Sequence, residues 1–303
     1  MKYTIIGAGA TGSCIGGYLA RAGYDVCLSA RGEALEAIKN RGLTLSGTRH
    51  GDFSVNPRVL ESGGRAEKPD VVFVCVKAYS LDEAFPAIRR ICAEDTVVIP
   101  VLNGIGIDKR IREAVQDARI IPGCLYINAR VVSPGHVRQS GRVFRLICDN
   151  GAGLGIGETM LSIAAELRNA GIDVLLSDDI HRDQFRKFMF VSALSATQIY
   201  FDRPTGAIQR EGEERDFFVG LTNELGLIAE RLGYAFPVDM TEDGKKRVDA
   251  MPPGNTTSLY SDLIQGKKTE FYEQIIVPIE MGRELSVETP YYCMVAKKMG
   301  CMN

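Results

Sequence analysis

The sequence lacks three features that would point to particular classes of protein. Its 303 residues carry 38 acidic and 36 basic side chains, so the formal net charge is only −2. That balance gives no basic surface for nucleic acid or an anionic membrane. No apolar run approaches the length of a membrane span, and the opening "YTIIGAGATG" is too broken by glycine for a signal peptide. We therefore expect a cytoplasmic protein without a nucleic-acid or membrane partner.

Paired cysteines are also missing. The eight cysteines form no CxxC pair, and only three histidines could join them as ligands, so no zinc or other metal site is expected. Cys14, Cys27 and Cys75 fall inside apolar segments, where a free cysteine behaves as a small hydrophobic residue.

The first half of the chain alternates apolar and helical segments. "KYTIIG", "YDVCLSAR", "PDVVFVCVKA" and "DTVVIPVLN" are near-continuous apolar runs separated by helical stretches. This pattern favours a parallel sheet covered on both faces, which right-handed crossovers make doubly wound. Further strand candidates follow, two of them antiparallel around Pro134-Gly135, so we expect one sheet larger than a minimal nucleotide-binding unit.

The second half is helical. From Asp179 the strand signal fades, and helices are predicted over "DDIHRDQFRKFMFVSALSATQIY", over "ERDFFVGLTNELGLIAERLGY", from near residue 255, and through a segment containing Pro278. The fold class is therefore α/β, with an N-terminal Rossmann-type doubly wound sheet over residues 1–178 and a C-terminal all-helical domain over residues 179–303.

A glycine-rich turn follows the first strand. It has the form GxGxxG, opens a helix and precedes a second strand, which is the context that a dinucleotide-binding turn requires. The first glycine permits a tight turn, the second a close approach of pyrophosphate, and the third close packing of helix and strand. The residues expected to bind the cofactor here are Gly7, Ala8, Gly9, Ala10, Thr11 and Gly12.

Polar residues also follow the next strands. The second strand ends in Ser29-Ala30-Arg31, where an NAD site usually has Asp or Glu for the ribose 2′-hydroxyl. A guanidinium suits a 2′-phosphate, so NADP(H) is the expected cofactor, although Glu33 lies close by and Arg31 could be a plain solvated residue. Lys77 and Asn103 follow two further strands and would meet the glycine turn at the same sheet edge.

One cation stands at the head of an apolar helical stretch, "KFMFVSALS". Lys187, Val191 and Ser195 are spaced by four residues and share one helix face. This segment alone is consistent with two interpretations. The lysine either enters a functional cleft or extends its charged end to solvent along the apolar surface.

The whole chain resembles the ketopantoate reductase (2-dehydropantoate 2-reductase) family. The resemblance rests on the glycine turn, on "VCVKAYS", "LNGIG" and "QFRKF", on Pro204-x-Gly206 and on "NTTSLYSDLIQGKKTE". It implies an N-terminal NADPH-binding domain, a helical C-terminal domain, and hydride transfer to the ketone of a small 2-oxo acid in pantothenate biosynthesis. The oligomeric state is left open by the sequence, with a homodimer as the working expectation.

By the same resemblance, the family's catalytic lysine and its partnering glutamate correspond to Lys187 and Glu270. The substrate-contacting residues correspond to Asn103, Asn255 and Ser258, and the positions four and eight after the lysine to Val191 and Ser195. A lysine ammonium can stabilise a growing alkoxide and then protonate it. Asn255 and Ser258, three residues apart, are expected on one helix face, where they could hold a carboxylate.

The chain departs from the family where the substrate is gripped. The family commonly has asparagine at both positions occupied by Val191 and Ser195, and tryptophan where Phe185 stands. Losing two amides should weaken binding of a polar pantoate-like hydroxyl, so the preferred 2-oxo acid could be more apolar than ketopantoate. Two other functions stay open, another two-domain dehydrogenase of the opine or imine type and a non-catalytic NADP-sensing protein.

Overall fold

The structure is a computed structural model that describes residues 1–61, 64 and 68–302. Its chain divides into two compact units. The first comprises Met1–Leu102 and Gly106–His181, and the second comprises residues 103–105 and the chain from Arg182 onward. The assignment of residues 1–178 to cofactor binding and of 179–303 to the substrate remains a prediction, and Asn303 lies outside the described residues.

All described strands lie in the first unit and form two sheets. Their bounds are β1 Lys2–Ile6, β2 Asp25–Ala30, β3 Leu43–Gly47, β4 Phe53–Val55, β5 Arg58–Glu61, β6 Val71–Val74, β7 Val97–Pro100, β8 Arg119–Ile120, β9 Gly123–Ser133, β10 His136–Asp149 and β11 Asp173–Ser177. The larger sheet is wholly parallel, in the order β5-β2-β1-β6-β7-β8. The predicted doubly wound parallel sheet is confirmed.

The expectation of a single enlarged sheet is wrong. A second, five-stranded sheet has the order β11-β10-β3-β4, and β9 pairs with β10 in the antiparallel hairpin predicted around Pro134-Gly135. The two groups of strands differ in burial, because β6 and β7 are buried at every residue whereas β10 alternates buried and exposed residues over much of its length. A strand with one solvated face does not belong in a sheet covered on both faces.

Helices cover the parallel sheet because its strands are apolar on both sides. The helices of this unit are α1 Ala10–Arg21, α2 Gly32–Arg41, α3 Leu81–Ile91, α4 Ile107–Ala114 and α5 Gly157–Asn169. Tyr3 and Ile5 of β1 join a core with α1, α5 and the second sheet. Ile6, on the opposite face of β1, joins a separate core with α3 and α4. Alternate residues of one strand thus supply two cores.

The second unit is helical, as predicted. Its helices are α6 Ile180–Phe201, which begins at the end of the first unit, α7 Thr205–Ile208, α8 Glu213–Arg231, α9 Met240–Asp249, α10 Ser258–Ile264, α11 Val277–Glu284 and α12 Pro290–Lys298. The predicted stripe on α8, with Phe217, Leu221, Leu225 and Ile228, is buried in one core with α6. Within the described part of the chain, no helix combines the length and apolarity needed to cross a bilayer.

The helix α9 was not predicted from the sequence. The helical segment predicted around Pro278 is confirmed, because a π-helical turn over Tyr272–Ile276 continues directly into α11. Pro278 stands in the first turn of α11, and its missing N–H leaves the carbonyl of residue 274 without the donor that a regular α-helix would supply.

Candidate active site

The glycine turn is built by the backbone of the first unit. Gly7 has φ +104°, a conformation that residues with a side chain rarely adopt, and its N–H donates to the Ser29 carbonyl of β2 at 3.3 Å. A Cβ on Gly12 would lie 2.0 Å from the Gly7 carbonyl oxygen and 2.9 Å from Cγ2 of Ile5. Only glycine therefore fits at either position.

The start of α1 has the properties of an anion site. Gly9 is the N-cap residue and offers no side-chain bond, and no acidic residue stands in the first turn. A Cβ on Gly9 would meet nothing within 4 Å, so open space lies where the turn would receive a ligand. Free N–H groups and the helix dipole favour a phosphate at such an N-terminus. These features fit the pyrophosphate of a dinucleotide.

Arg31 and Lys77 follow the two strands that flank β1, at the same edge of the sheet as the glycine turn. The Arg31 side chain is 75% exposed, and its Nη1 lies 3.5 Å from Oε2 of the exposed Glu83. A surface pair of this kind contributes little to stability, so the guanidinium is available to a phosphate. Lys77 is half-buried and precedes a short 3₁₀ turn over Ala78–Ser80.

The structure brings Lys187 and Asn103 together within the second unit. Nζ of Lys187 donates to Oδ1 of Asn103 at 2.8 Å, across 84 residues of sequence. Lys187 lies early in α6 and is half-buried. The side-chain amide of Asn103 holds the ammonium in one orientation, which is what a proton donor requires. This contact favours the functional reading of Lys187 over a snorkelling side chain.

Val191 and Ser195 follow Lys187 at intervals of about one turn on the same face of α6. Val191 is half-buried, and Ser195 is fully buried, with its hydroxyl donating to Oε1 of Gln274 at 3.0 Å. Glu270 is 3% exposed, and its carbonyl accepts the N–H of Gln274 at 3.1 Å. The sequence points to Lys187, Ser195 and Glu270, and Gln274 links the last two.

The placement of Asn255 and Ser258 on one helix face is wrong. Helix α10 begins at Ser258 and is capped by Thr257, whose Oγ1 accepts the N–H of Tyr260 at 3.3 Å. Asn255 therefore precedes the helix, and Ser258 is exposed in its first turn. Threonine is a preferred N-cap, and that signal in "NTTSLY" marks the true helix start.

Gln198 fixes the turn that carries these two residues. This residue of α6 is fully buried, and its Nε2 donates to the Asn255 carbonyl at 3.1 Å while its Oε1 accepts the Thr257 N–H at 2.8 Å. Sequence reasoning missed Gln198 and Gln274. Each is a side-chain amide in a largely apolar helical stretch. Such an amide is expected to be buried and therefore to hydrogen-bond to a specific partner.

Both halves of the chain match models of one protein family. Residues 3–147 match the family described as "Ketopantoate reductase PanE/ApbA", and residues 179–300 match "Ketopantoate reductase PanE/ApbA C terminal". The chain is 30% identical to a 2-dehydropantoate 2-reductase from Pyrococcus horikoshii over 293 residues, which cover 96% of this chain and 93% of that protein.

Solved structures agree with the fold. A ketopantoate reductase of the PanE/ApbA family from Ralstonia eutropha superimposes with a TM-score of 0.89 at 26% identity, covering 99% of this chain and 97% of the other. A D-mandelate dehydrogenase, solved with NADH and anilino(oxo)acetate, shares the fold with a TM-score of 0.89 at 24% identity, covering 98% and 96%. The chain belongs to the ketopantoate reductase family of oxidoreductases.

Proposed function

We propose that this protein reduces a 2-oxo acid with NADPH, the substrate being ketopantoate or a close relative. The observation that carries the proposal is the bond from Lys187 Nζ to Asn103 Oδ1, at 2.8 Å. It supplies an ammonium that is positioned by a neutral amide. The ammonium has three N–H donors, so one can be held by the amide oxygen while another points at a developing alkoxide.

The glycine turn and the residues after the neighbouring strands would hold the cofactor. Backbone N–H groups at the start of α1 would bind the pyrophosphate, and Arg31 would bind the 2′-phosphate that distinguishes NADPH from NADH. Support for NADPH comes from the end of β2, where Ala30 stands in place of the acidic residue that binds a 2′-hydroxyl. A bound reduced nicotinamide supplies the hydride.

The residues of this chain would then handle charge and proton. As the carbonyl carbon of the substrate accepts a hydride, its oxygen gains negative charge, which the Lys187 ammonium stabilises and then neutralises by donating a proton. Asn103 keeps Nζ in position through the bond described above. The buried carboxylate of Glu270 would orient the substrate hydroxyl or the lysine, and the exposed Ser258 together with Asn255 would bind the substrate carboxylate.

The substrate would be small, and its tail would meet Val191, where the family commonly has an amide. With ketopantoate as the substrate, the product would be pantoate, a step of pantothenate biosynthesis. A cytoplasmic location and a homodimer remain predictions.

The experiment is a steady-state assay of coenzyme oxidation with a panel of 2-oxo acids, run with NADPH and with NADH. We expect reduction of at least one branched 2-oxo acid and a higher kcat/KM with NADPH. Binding of NADPH without reduction of any acid in the panel would contradict the proposal and favour a non-catalytic sensor.

A further inference from the structure

Gln274 is held at two points by α6. In an α-helix the N–H of residue 278 would donate to the Gln274 carbonyl, but Pro278 has none. The hydroxyl of Ser192 donates to that carbonyl instead, at 2.6 Å. Ser195, almost one turn further along α6, donates to the side-chain Oε1 at 3.0 Å. The π-helical turn over Tyr272–Ile276 thus presents Gln274 to α6, and such turns occur frequently at functional sites.

The side-chain nitrogen of Gln274 lacks a hydrogen-bond partner among the described residues. Its residue is 1% exposed, and Nε2 makes no hydrogen bond with any residue that the structure describes. A buried donor left unpaired costs more free energy than a typical hydrogen bond contributes, and native proteins rarely retain one without a reason. Ser195 fixes the oxygen side of the amide, so its two N–H groups are oriented as donors.

The surroundings of this amide belong to the proposed active site. Gln274 lies one helical turn after Glu270 and accepts its bond from the α6 face shared by Lys187, Val191 and Ser195. Ser195 lies eight residues after Lys187 on that face, about two helical turns. An amide held there would meet the part of a substrate that lies away from the reacting carbonyl.

We propose that the Gln274 carboxamide, oriented by Ser195, donates a hydrogen bond to an oxygen on the tail of the 2-oxo acid and thereby determines specificity. This inference rests on the proposed function and deepens it. Val191 and Ser195 leave this face of α6 without a side-chain amide, and Gln274 on the π-helical turn supplies one. The preferred acid would therefore carry a tail hydroxyl or carboxylate, in contrast to the more apolar tail expected from Val191 and Ser195.

The test compares acids that differ by one oxygen-bearing group. Ketopantoate is paired with 3,3-dimethyl-2-oxobutanoate, which lacks only its hydroxyl, and 2-oxoglutarate with 2-oxopentanoate, which lacks the second carboxylate. The pair whose two acids differ most in kcat/KM shows whether a tail hydroxyl or a tail carboxylate is recognised. We expect the wild-type protein to favour one oxygen-bearing acid in kcat/KM, and Gln274→Met to lower that preference by about tenfold or more while reduction of the apolar partner is retained.

Two further variants keep the test decisive. Ser195→Ala, which frees the amide to rotate, should lower the same preference by a smaller factor, and it replaces Gln274→Met if that variant does not fold. Gln265→Met makes the same chemical change at an exposed position after α10 and should behave as wild type. Binding of each acid is also measured by calorimetry with NADP⁺ present, where no hydride is available.

The outcomes separate this inference from the proposed function. If the wild-type protein reduces the acids and Gln274→Met keeps the same preference, the inference is wrong and the proposed function stands. If no acid is reduced, the proposed function is wrong and calorimetry decides the inference. Equal binding of the two acids of each pair, or binding that Gln274→Met does not change, would then overturn it.

Discussion

The two units of this protein differ in whether backbone or side chains form their functional groups. In the first, the cofactor turn consists of backbone, and its key positions are defined by the absence of side chains at Gly7, Gly9 and Gly12. In the second, α6 buries hydroxyl and amide side chains that hold other segments, among them Ser192, Ser195 and Gln198.

This difference determines how sensitive cofactor binding and substrate binding are to substitutions. A backbone site tolerates changes around it as long as no side chain enters the turn, so it suits a cofactor shared by many enzymes. A site made of side chains that orient one another changes with each substitution, so it suits a substrate that varies among relatives. We therefore expect substitutions in the glycine turn and in the helical unit to change different properties.

The largest effect is expected at Gly12. Its replacement by alanine places a Cβ 2.0 Å from the Gly7 carbonyl oxygen, so the turn and α1 must separate. We expect Gly12→Ala to lower the free energy of unfolding by about 3 kcal/mol, measured by urea denaturation followed by circular dichroism.

The matched control is Gly9→Ala, because a Cβ there meets nothing within 4 Å. Its free energy of unfolding should stay within about 1 kcal/mol of wild type, while the NADPH Kd rises because the new methyl group stands in the way of the pyrophosphate. Equal stability of the two variants would contradict the account of the turn.

The second unit should respond to pH through Glu224. This residue of α8 is 5% exposed, and its carboxylate accepts the N–H groups of Tyr291 and Tyr292 at 2.6 and 3.2 Å. Burial raises the pKa of Glu224 from 4.5 to about 7. Because the folded protein holds this proton more tightly than the unfolded chain, the stabilisation is complete below pH 4.5 and is lost as the pH rises through 7.

A shift of this size corresponds to as much as about 3 kcal/mol, at 1.36 kcal/mol for each pKa unit. We expect Glu224→Gln to flatten the decline in the free energy of unfolding between pH 5 and 7. Glu230→Gln, on the exposed face of the same helix, is the control and should follow wild type. A variant that keeps the full decline would show that another group causes it.

The smallest expected effect is at Arg31, where one exposed side chain supplements the backbone site. Arg31→Ala should raise the KM for NADPH by about tenfold, the loss of one charge-assisted contact with the 2′-phosphate, and leave the KM for NADH unchanged. Arg41→Ala, also exposed and on α2, is the control. An equal change for both coenzymes would mean that Arg31 does not contact the 2′-phosphate.

Much of the first unit could be predicted from the sequence, because local signals carry it. Near-continuous apolar runs predicted β1, β2, β6 and β7, and the spacing of Gly7, Gly9 and Gly12 predicted the glycine turn. The strands β3 and β4 contain polar residues, and the second sheet depends on pairings such as that of β3 with β10, about 90 residues apart in sequence. The hydrophobic periodicity of a short segment does not predict pairing between strands that are distant in sequence.

The helical unit was predicted less completely, because its site depends on distant partners. Lys187 was singled out from its place in an apolar helix, but its catalytic role was suggested only by the family resemblance, as was Glu270. Gln274 was missed because its significance depends on Ser195, 79 residues away. Asn255 and Ser258 were misplaced on one helix because the capping role of Thr257 was not recognised.

The central claim is that the Lys187 ammonium protonates the reduced carbonyl. The most direct test is the single-turnover rate of NADPH oxidation in Lys187→Met, with coenzyme and 2-oxo acid saturating and Lys245→Met, a change at a lysine paired with Glu242, as the control. We predict a rate at least about 100-fold below wild type with an unchanged Kd for NADPH. A folded Lys187→Met variant that oxidises NADPH at close to the wild-type rate would contradict the claim.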